Sequence, residues 1–236
     1  MMKLEELVSQ LKLAYGDGLR SVVLFGSAVA GEHNPKNSDY NVLVVVDSLP
    51  LARLRAVAAI SKAWAEDGNP PPLTFTASEW KSSADIFPME YADILERHKV
   101  LFGDAPFDGI RVSPSDLRLQ VEQQTMGKLL QLRQATMGAG GDNKLQLEVL
   151  EKSLSTLMVI LRGVSRLVGQ APSQDYEELT RSLAERAGFL PEPFVKVIRH
   201  VRGTEKIPRE SAAGILEGYL AAMERLVAYL NEFKAR

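Results

Sequence analysis

The sequence lacks cysteine altogether and contains only three histidines. Without cysteine the chain can form neither a disulfide nor a thiolate metal site, so a reducing cytoplasm is the expected setting. No pair of histidines has the short helical spacing of a zinc site, and zinc is not predicted. The amphipathic opening, residues 1–16, contains no continuous apolar run, so neither a signal peptide nor a membrane span is expected.

Aromatic residues are also sparse, at 7% of the chain, and charge is nearly balanced, with a formal net charge of −2. Surfaces that bind nucleic acid combine dense basic charge with aromatic side chains that stack on bases. The basic residues of the second half are instead spread among acidic ones. A nucleic-acid partner, and in particular action on an RNA 3′ end, is therefore the least favoured function.

The sequence does contain a clear change of pattern near residue 104. Before that point, apolar runs predict short strands between helices, which is α/β construction. The expected strands are 21–25, 40–46 and 73–76, and the expected helices are 3–14 and 51–68. Ser78 is the expected N-cap of a turn. Residues 87–103 are expected to contain a short helix and a strand or hairpin, in either order.

After that point, apolar residues recur every three or four positions over long segments, which predicts an all-helical bundle. Pro114 suits a first helical position, and Asp142 is the expected N-cap of a helix that runs to Gly169. Further helices are expected at 173–187, 191–202 and 209–233.

The segment 103–113, GDAPFDGIRVS, separates the two patterns and holds two glycines and a proline. We therefore predict an α/β domain at 1–108 and an all-α helical domain at 109–236. The segment between the patterns is expected to be a linker that tolerates rotation of one half against the other.

The dipeptide Gly26-Ser27 directly follows the first predicted strand. A glycine lets the backbone approach an anion closely, and a serine hydroxyl with free amides at a helix start can bind phosphate. A tight strand-to-helix turn would use the same residues, so the dipeptide alone leaves both interpretations open. With its neighbours considered, it is a candidate phosphate site.

Asp39 and Asn41 stand at the beginning of the second long strand. Side chains alternate along a strand, so these two face one side and Tyr40 faces the other. Their oxygens suit Mg²⁺, which would lie where the Gly26-Ser27 turn holds nucleotide phosphates. Asp39 and Asn41 are therefore the candidate metal ligands and catalytic residues.

Together, Gly26-Ser27, Gly31 and Ser38-Asp39-x-Asn41 resemble the signature of the polymerase β-like nucleotidyltransferase superfamily, which runs Gly-Ser, a loop, then Asp-x-Asp. Residues 87–104 are similar to the end of the catalytic domain in bacterial members resembling aminoglycoside nucleotidyltransferases. The resemblance implies an α/β (α+β) domain with a mixed sheet, a Mg-nucleoside triphosphate, and nucleotidyl transfer to a hydroxyl with release of pyrophosphate. It places Ser38 among the nucleotide-binding residues.

Asn41 stands where that signature has its second aspartate. An amide oxygen can coordinate a metal but supplies no negative charge, so Mg²⁺ is expected to be held weakly. A third acid is also missing, because the predicted strand LTFT at 73–76 offers only threonines where a general base is wanted. Glu79, Glu90 and Asp93 are distant substitutes, each more simply explained as a solvated or capping acid.

The loop GEHNPKN at 31–37 supplies two further candidates. Lys36 is the natural phosphate contact in this loop. His33 could approach the triphosphate, although a loop histidine is ordinarily just exposed. His98 and His200 have the pattern of ordinary surface or core residues.

Two functions are favoured for the chain. The first is a nucleotidyltransferase-like protein that binds a nucleoside triphosphate and transfers a nucleotidyl group to a hydroxyl of a small molecule or protein, with the helical domain closing over the site. The second is a catalytically inactive nucleotide-sensing or scaffold protein that keeps the fold without the chemistry. Nothing in the sequence predicts the acceptor, the base of the nucleotide or the oligomeric state.

Overall fold

The structure is a computed structural model, and it describes residues 2–29 and 40–234. The chain divides into two compact units, 1–113 and 114–236. Each unit has its own set of secondary-structure elements, and the two are described in turn.

The division between the units falls a few residues after the predicted domain boundary at residue 108. The Trp80 indole donates a hydrogen bond to the Pro106 carbonyl (2.5 Å), and Phe107 packs against buried residues of the first unit. Much of the segment 103–113 is therefore attached to the first unit. Its role as a linker that allows rotation stays a prediction.

The first unit alternates helices and strands around one four-stranded sheet. Its strands are rich in valine and leucine, and its helices begin and end near the turn residues expected from the sequence. In chain order the elements are α1 (Leu4–Tyr15), β1 (Leu19–Phe25), β2 (Asn41–Val46), α2 (Leu51–Glu66), β3 (Leu73–Thr76), α3 (Ala77–Ser82), α4 (Pro88–Glu96) and β4 (His98–Gly103).

The sheet has the strand order β3-β2-β1-β4. Strand β1 pairs antiparallel with β2 and β4, whereas β2 and β3 run parallel. Three prolines, Pro70, Pro71 and Pro72, precede the four-residue edge strand β3. The expected α/β architecture with a mixed sheet is therefore confirmed.

The two central strands are buried on both faces, which explains their nearly continuous apolar sequence. One face packs against α1 and the buried Trp64 of α2. The other face packs against α3 and α4, where the Trp80 and Tyr91 rings stack with centroids 4.1 Å apart. The face toward α1 and α2 carries Val22, Leu24, Val42, Val44 and Val46, and the opposite face carries Val23, Leu43 and Val45.

The structure corrects one local expectation and settles another. Thr76, not Ser78, is the N-cap of α3, because Thr76 and Glu79 form a reciprocal capping box directly at the end of β3. In residues 87–103 the order left open by the sequence is helix α4 followed by strand β4, with Pro88 in the first helical turn.

The second unit contains helices and no strand among its described residues. Its helices are α5 (Pro114–Ala139), α6 (Asn143–Leu167), α7 (Tyr176–Ala187), α8 (Glu192–Arg202) and α9 (Ala212–Glu232). The prediction of a helical second half is confirmed. No helix among the described residues combines the length and hydrophobicity that a membrane span requires.

The caps and stripes of the helical unit follow the sequence closely. Asp142 caps α6 by accepting hydrogen bonds from the backbone of Lys144 and Leu145 at 2.8 and 3.1 Å. The apolar stripe of α6 is buried at Leu150, Leu154, Leu157, Leu161 and Val164.

His200 is a buried structural residue, which is one of the two ordinary positions, surface or core, that its sequence context left open. The Ile207 backbone N–H donates to His200 Nδ1 at 2.9 Å, so the neutral ring carries its hydrogen on Nε2. That Nε2 lies 2.9 Å from a carboxylate oxygen of Glu151. Both ring nitrogens therefore have partners within the helical unit.

Asp175 is expected to stabilise the second unit as the N-cap of α7. Its carboxylate accepts hydrogen bonds from the backbone N–H groups of Glu178 and Glu177, which hold its pKa below the ordinary value. Asp175→Ala should lower the free energy of unfolding at pH 7 by about 1 kcal/mol, whereas Asp175→Asn should change it by only a few tenths because asparagine also caps well.

The pH dependence provides the control for this cap. Since the folded pKa of Asp175 is depressed, its charge-dependent contribution is present above about pH 4 and is lost as the pH falls through the folded pKa. Urea unfolding between pH 7 and pH 2 should therefore show the natural protein losing stability relative to Asp175→Asn. Equal stability of the Ala and Asn variants at pH 7 would contradict the capping role.

Candidate functional site

The turn after β1 and the beginning of β2 lie side by side. Because the two strands are antiparallel, Phe25 at the end of β1 pairs with Asn41 at the start of β2. A single 3-10 turn, Gly26–Ala28, follows β1 immediately. The fold therefore brings together the predicted phosphate turn and one of the two predicted metal ligands.

Gly26 has a backbone conformation that favours glycine, with φ at +80°. A Cβ atom added at this position would lie 3.6 Å from Nδ2 of Asn41. The glycine thus leaves open the space next to the Asn41 amide. A nucleotide phosphate could approach the backbone in that space, which is the role predicted for this residue.

Two backbone amides of this turn are already used. The Gly26 N–H donates to the Arg97 carbonyl at 3.2 Å, and the Val29 N–H donates to the Gly26 carbonyl at 3.1 Å. The expectation that the amides after Ser27 are free is therefore wrong for Val29. A phosphate at this turn would depend on other groups, with the Ser27 backbone the nearest candidate.

Asn41 belongs to a row of three side chains across the sheet. Phe25 pairs with Asn41 on one side and with His98 of β4 on the other. Directly paired residues of antiparallel strands share a face, and here it is the face toward α3 and α4, since Phe25 and Val100 pack against that cluster. Sequence reasoning missed His98 because only the strand register places it in this row.

The hydrogen bonding of His98 defines its tautomer. Its Nδ1 lies 2.9 Å from the Ile94 carbonyl oxygen. A carbonyl only accepts hydrogen bonds, so Nδ1 carries the hydrogen, and Nε2 of the neutral ring is a hydrogen-bond acceptor. The ring is half-buried and rests against Phe107, with centroids 4.2 Å apart. His98 is therefore a fixed ring with a basic nitrogen.

Comparison with known proteins agrees with this geometry. Residues 1–101 match the family model described as a nucleotidyltransferase domain. The N-terminal part of the chain is a nucleotidyltransferase domain. Its strand arrangement and its Gly-Ser turn are consistent with the polymerase β-like superfamily, so the resemblance seen in the sequence is confirmed.

The whole fold also has a solved counterpart. The chain is similar to the spectinomycin adenyltransferase AAD(9) from Enterococcus faecialis, whose crystal structure contains ATP and spectinomycin. The TM-score is 0.60 at 14% identity, and the match covers 98% of this chain and 100% of the other. At this identity the likeness shows a shared fold, which includes the helical half. Among curated proteins, none matches the chain significantly.

The nucleotidyltransferase domain lacks an acid on the strand next to Asn41. Leu43 of β2 pairs with Leu73 of β3, and Phe75 packs against the cluster on the same face as Leu43. Thr74 instead lines a groove with residues of α1 and α2 on the opposite face. The threonines of β3 therefore cannot replace the missing acid, because they do not share a face with Asn41. On the face with Asn41, β3 contributes apolar side chains.

The three acids considered as substitutes lie in α3 and α4 of the nucleotidyltransferase domain. Glu79 closes the capping box of α3, and the hydrogen bonds from Thr76 lower the pKa of its carboxyl. This is the capping role that the sequence offered as the simpler explanation. Glu90 is exposed on α4, and Asp93 is half-buried there. Nothing in their positions assigns either one to the row of Asn41.

The remaining candidate ligands fall outside the part of the chain that the structure describes. Lys36, Ser38 and Asp39, together with Gly31 and His33, belong to residues 30–39. Their predicted roles, and that of the Ser27 hydroxyl, stay predictions.

The described residues fit a magnesium ion only in part. Among them, no group of three or more acidic or histidine side chains is close enough to hold a metal. Asn41 offers one neutral amide oxygen, which is a suitable but weak ligand. Any negative charge at this position would come from Asp39, the one carboxylate that is predicted to bind the ion.

Proposed function

We propose that this chain binds a Mg-nucleoside triphosphate in its nucleotidyltransferase domain and transfers a nucleotidyl group, slowly, to a hydroxyl of a small molecule. The observation that carries the proposal is the open space at Gly26, directly beside the Asn41 amide. The spectinomycin in the similar adenyltransferase structure supports a small-molecule acceptor over a protein hydroxyl.

The residues of the turn and strand have distinct roles in this proposal. Gly26 lets the triphosphate approach the backbone, and Ser27, Lys36 and Ser38 hold it. Asp39 and Asn41 are the ligands for Mg²⁺, which when bound would offset charge on the phosphates and polarise the reacting phosphoryl group. Because Asn41 is neutral, this pair supplies one negative charge where the family signature supplies two.

His98 takes the place of the missing acid in this proposal. It lies in the row of Asn41, two strand spacings or roughly 10 Å away along the sheet. Its Nδ1–H is fixed by the Ile94 carbonyl, which leaves Nε2 to accept a proton from an acceptor hydroxyl. A substrate at the end of β1, beyond the Phe25 side chain, would lie between His98 and the phosphates at Gly26.

Replacing His98 with asparagine tests this role. His98→Asn keeps an N–H near the position of Nδ1 for the Ile94 carbonyl but removes the basic nitrogen. In an Asn41→Asp background, where turnover is expected to be measurable, kcat should fall by about 10²-fold while the KM for the nucleotide changes little. A kcat unchanged within a factor of two would exclude His98 as the base.

A nucleotide-sensing or scaffold function is the second candidate. It is favoured by the neutral Asn41 together with the apolar Leu73 and Phe75 on the neighbouring strand. In that case the phosphate turn would bind nucleotide, and the helical unit would transmit binding without chemistry.

A thermal-shift screen separates these functions. Each of the four common nucleoside triphosphates is added with and without Mg²⁺, because a ligand that prefers the folded state raises the unfolding midpoint. Both functions require one nucleotide to raise it. Pyrophosphate release with candidate acceptors then identifies the enzyme, and its complete absence identifies the sensor. No response to any nucleotide would overturn both.

A further inference from the structure

The helical unit contains a cavity that nucleotidyl transfer does not require. It lies between α5 and α6 and has a volume of about 410 Å³. Small-molecule sites in proteins usually enclose roughly 300–1,000 Å³. Much of the wall is apolar and comes from Leu132, Ala135, Leu145 and Val149. The cavity is therefore large enough, and apolar enough, for a small organic ligand.

One charged side chain in this wall has no compensating group. Lys128 exposes only 9% of its surface and lines the cavity. Among the described residues it has no hydrogen-bond or ion-pair partner, and burial lowers the pKa of its ammonium group. The stem of the side chain is packed away from water, whereas Nζ is not among the fully buried polar atoms of the described residues, so the ammonium group opens into the cavity and can pair with a ligand there.

The other polar groups of the wall do not supply that partner. Glu148 lies 3.4 Å from Lys152 and 4.0 Å from Lys144, so its charge is already offset by two exposed lysines. The Ser153 hydroxyl is hydrogen-bonded to the Leu150 carbonyl and to the Tyr219 hydroxyl, each at 2.7 Å. The cavity therefore keeps an excess of positive charge next to an apolar wall.

We propose that this cavity binds a small organic carboxylate. The carboxylate accepts a charge-assisted hydrogen bond from Lys128, and the apolar body of the ligand packs against Leu132, Ala135 and Val149. An inorganic anion would pair with the ammonium group but leave the apolar wall in contact with water. A neutral apolar molecule would cover the wall but leave the ammonium group unpaired. This site is independent of the nucleotide site proposed above.

Calorimetry on the full chain with three probes tests the chemistry of the site. Octanoate carries both features, 1-octanol lacks the charge, and inorganic phosphate lacks the apolar body. Octanoate should bind at least tenfold more tightly than either control. Absence of octanoate binding at millimolar concentration, or equal binding of octanol or phosphate, would overturn the proposal.

Matched variants then locate the binding. Lys128→Met keeps the length of the side chain and removes the charge, so octanoate should bind at least tenfold more weakly, while the unfolding midpoint of the free protein should not fall. Lys152→Met, at the exposed rim, should change the affinity less than threefold.

Ala135→Phe fills the cavity from the exposed side of α5 and should also abolish binding, which provides a second test if Lys128→Met does not fold. Full octanoate affinity in either folded Lys128→Met or Ala135→Phe would exclude this cavity.

Discussion

Gly26→Val is expected to abolish nucleotide binding while the protein keeps its fold. The valine would place side-chain atoms in the space beside the Asn41 amide, where an added Cβ already lies 3.6 Å from Nδ2. It would also force a β-branched residue to a φ of +80°, at a cost of about 1–3 kcal/mol. Calorimetry with the nucleotide that responds in the screen should detect no binding, and circular dichroism should be unchanged.

Gly203→Val is the matched control for backbone strain. Gly203 has nearly the same φ, +78°, but an added Cβ would meet no atom within 4 Å. It is the C-cap of α8 in the helical unit and does not belong to the nucleotidyltransferase domain. This variant should lose similar stability and still bind nucleotide. The assignment of phosphate binding to the turn at Gly26 would be wrong if folded Gly26→Val bound nucleotide with the natural affinity. It would also be wrong if both variants lost the same affinity.

Asn41→Asp is expected to tighten Mg²⁺ binding and to raise the rate of pyrophosphate release by about 10²-fold, the usual size of one electrostatic contact to the reacting group. The two side chains have nearly the same shape, so the change adds one negative charge and little else. Stabilisation of the transferring phosphoryl group is mostly electrostatic, so turnover should respond more than nucleotide affinity does. Steady-state kinetics and Mg²⁺ titration measure the two effects separately.

The natural protein and Asp39→Asn complete this series. The natural protein should bind Mg-nucleotide but release pyrophosphate well below about one per second. Removal of the remaining carboxylate in Asp39→Asn should weaken metal binding further. If the natural protein already turns over at ordinary enzymatic rates, Asn41 is a competent ligand and other acids must support it.

The strands were predictable because their signal is local. The boundaries of β3 follow directly from LTFT between three prolines and a helix-capping sequence, and β1 and β2 follow from apolar runs that end at polar residues. The order of α4 and β4 was not predictable, since residues 87–103 contain apolar residues that suit either element. Thr76 was missed as a cap because the strand continues up to the cap itself.

The two side chains that matter most beyond the signature could not be found from the sequence. His98 reaches the row of Asn41 only through its pairing with Phe25, which is more than 70 positions earlier in the chain. Lys128 shares the helical spacing of the buried Val121 and Leu132, but the sequence does not reveal the cavity between α5 and α6 that its side chain lines. In both cases the information lies in contacts between distant segments.

The three prolines before β3 have a consequence for where a triphosphate can bind. Continuing the parallel register of Leu43 and Leu73 back by two residues brings Pro71 level with Asn41, and the Tyr40 N–H donates to the Asn69 side chain at 2.9 Å at the same end of the strands. Proline has no N–H, so this edge has no backbone donor over three consecutive residues, and the Pro72 carbonyl already accepts a hydrogen bond from the Thr74 hydroxyl at 3.0 Å. An edge without backbone donors gives a phosphate no N–H group to bind. In the function proposed above, we therefore expect the triphosphate to bind at Gly26 and not along this edge.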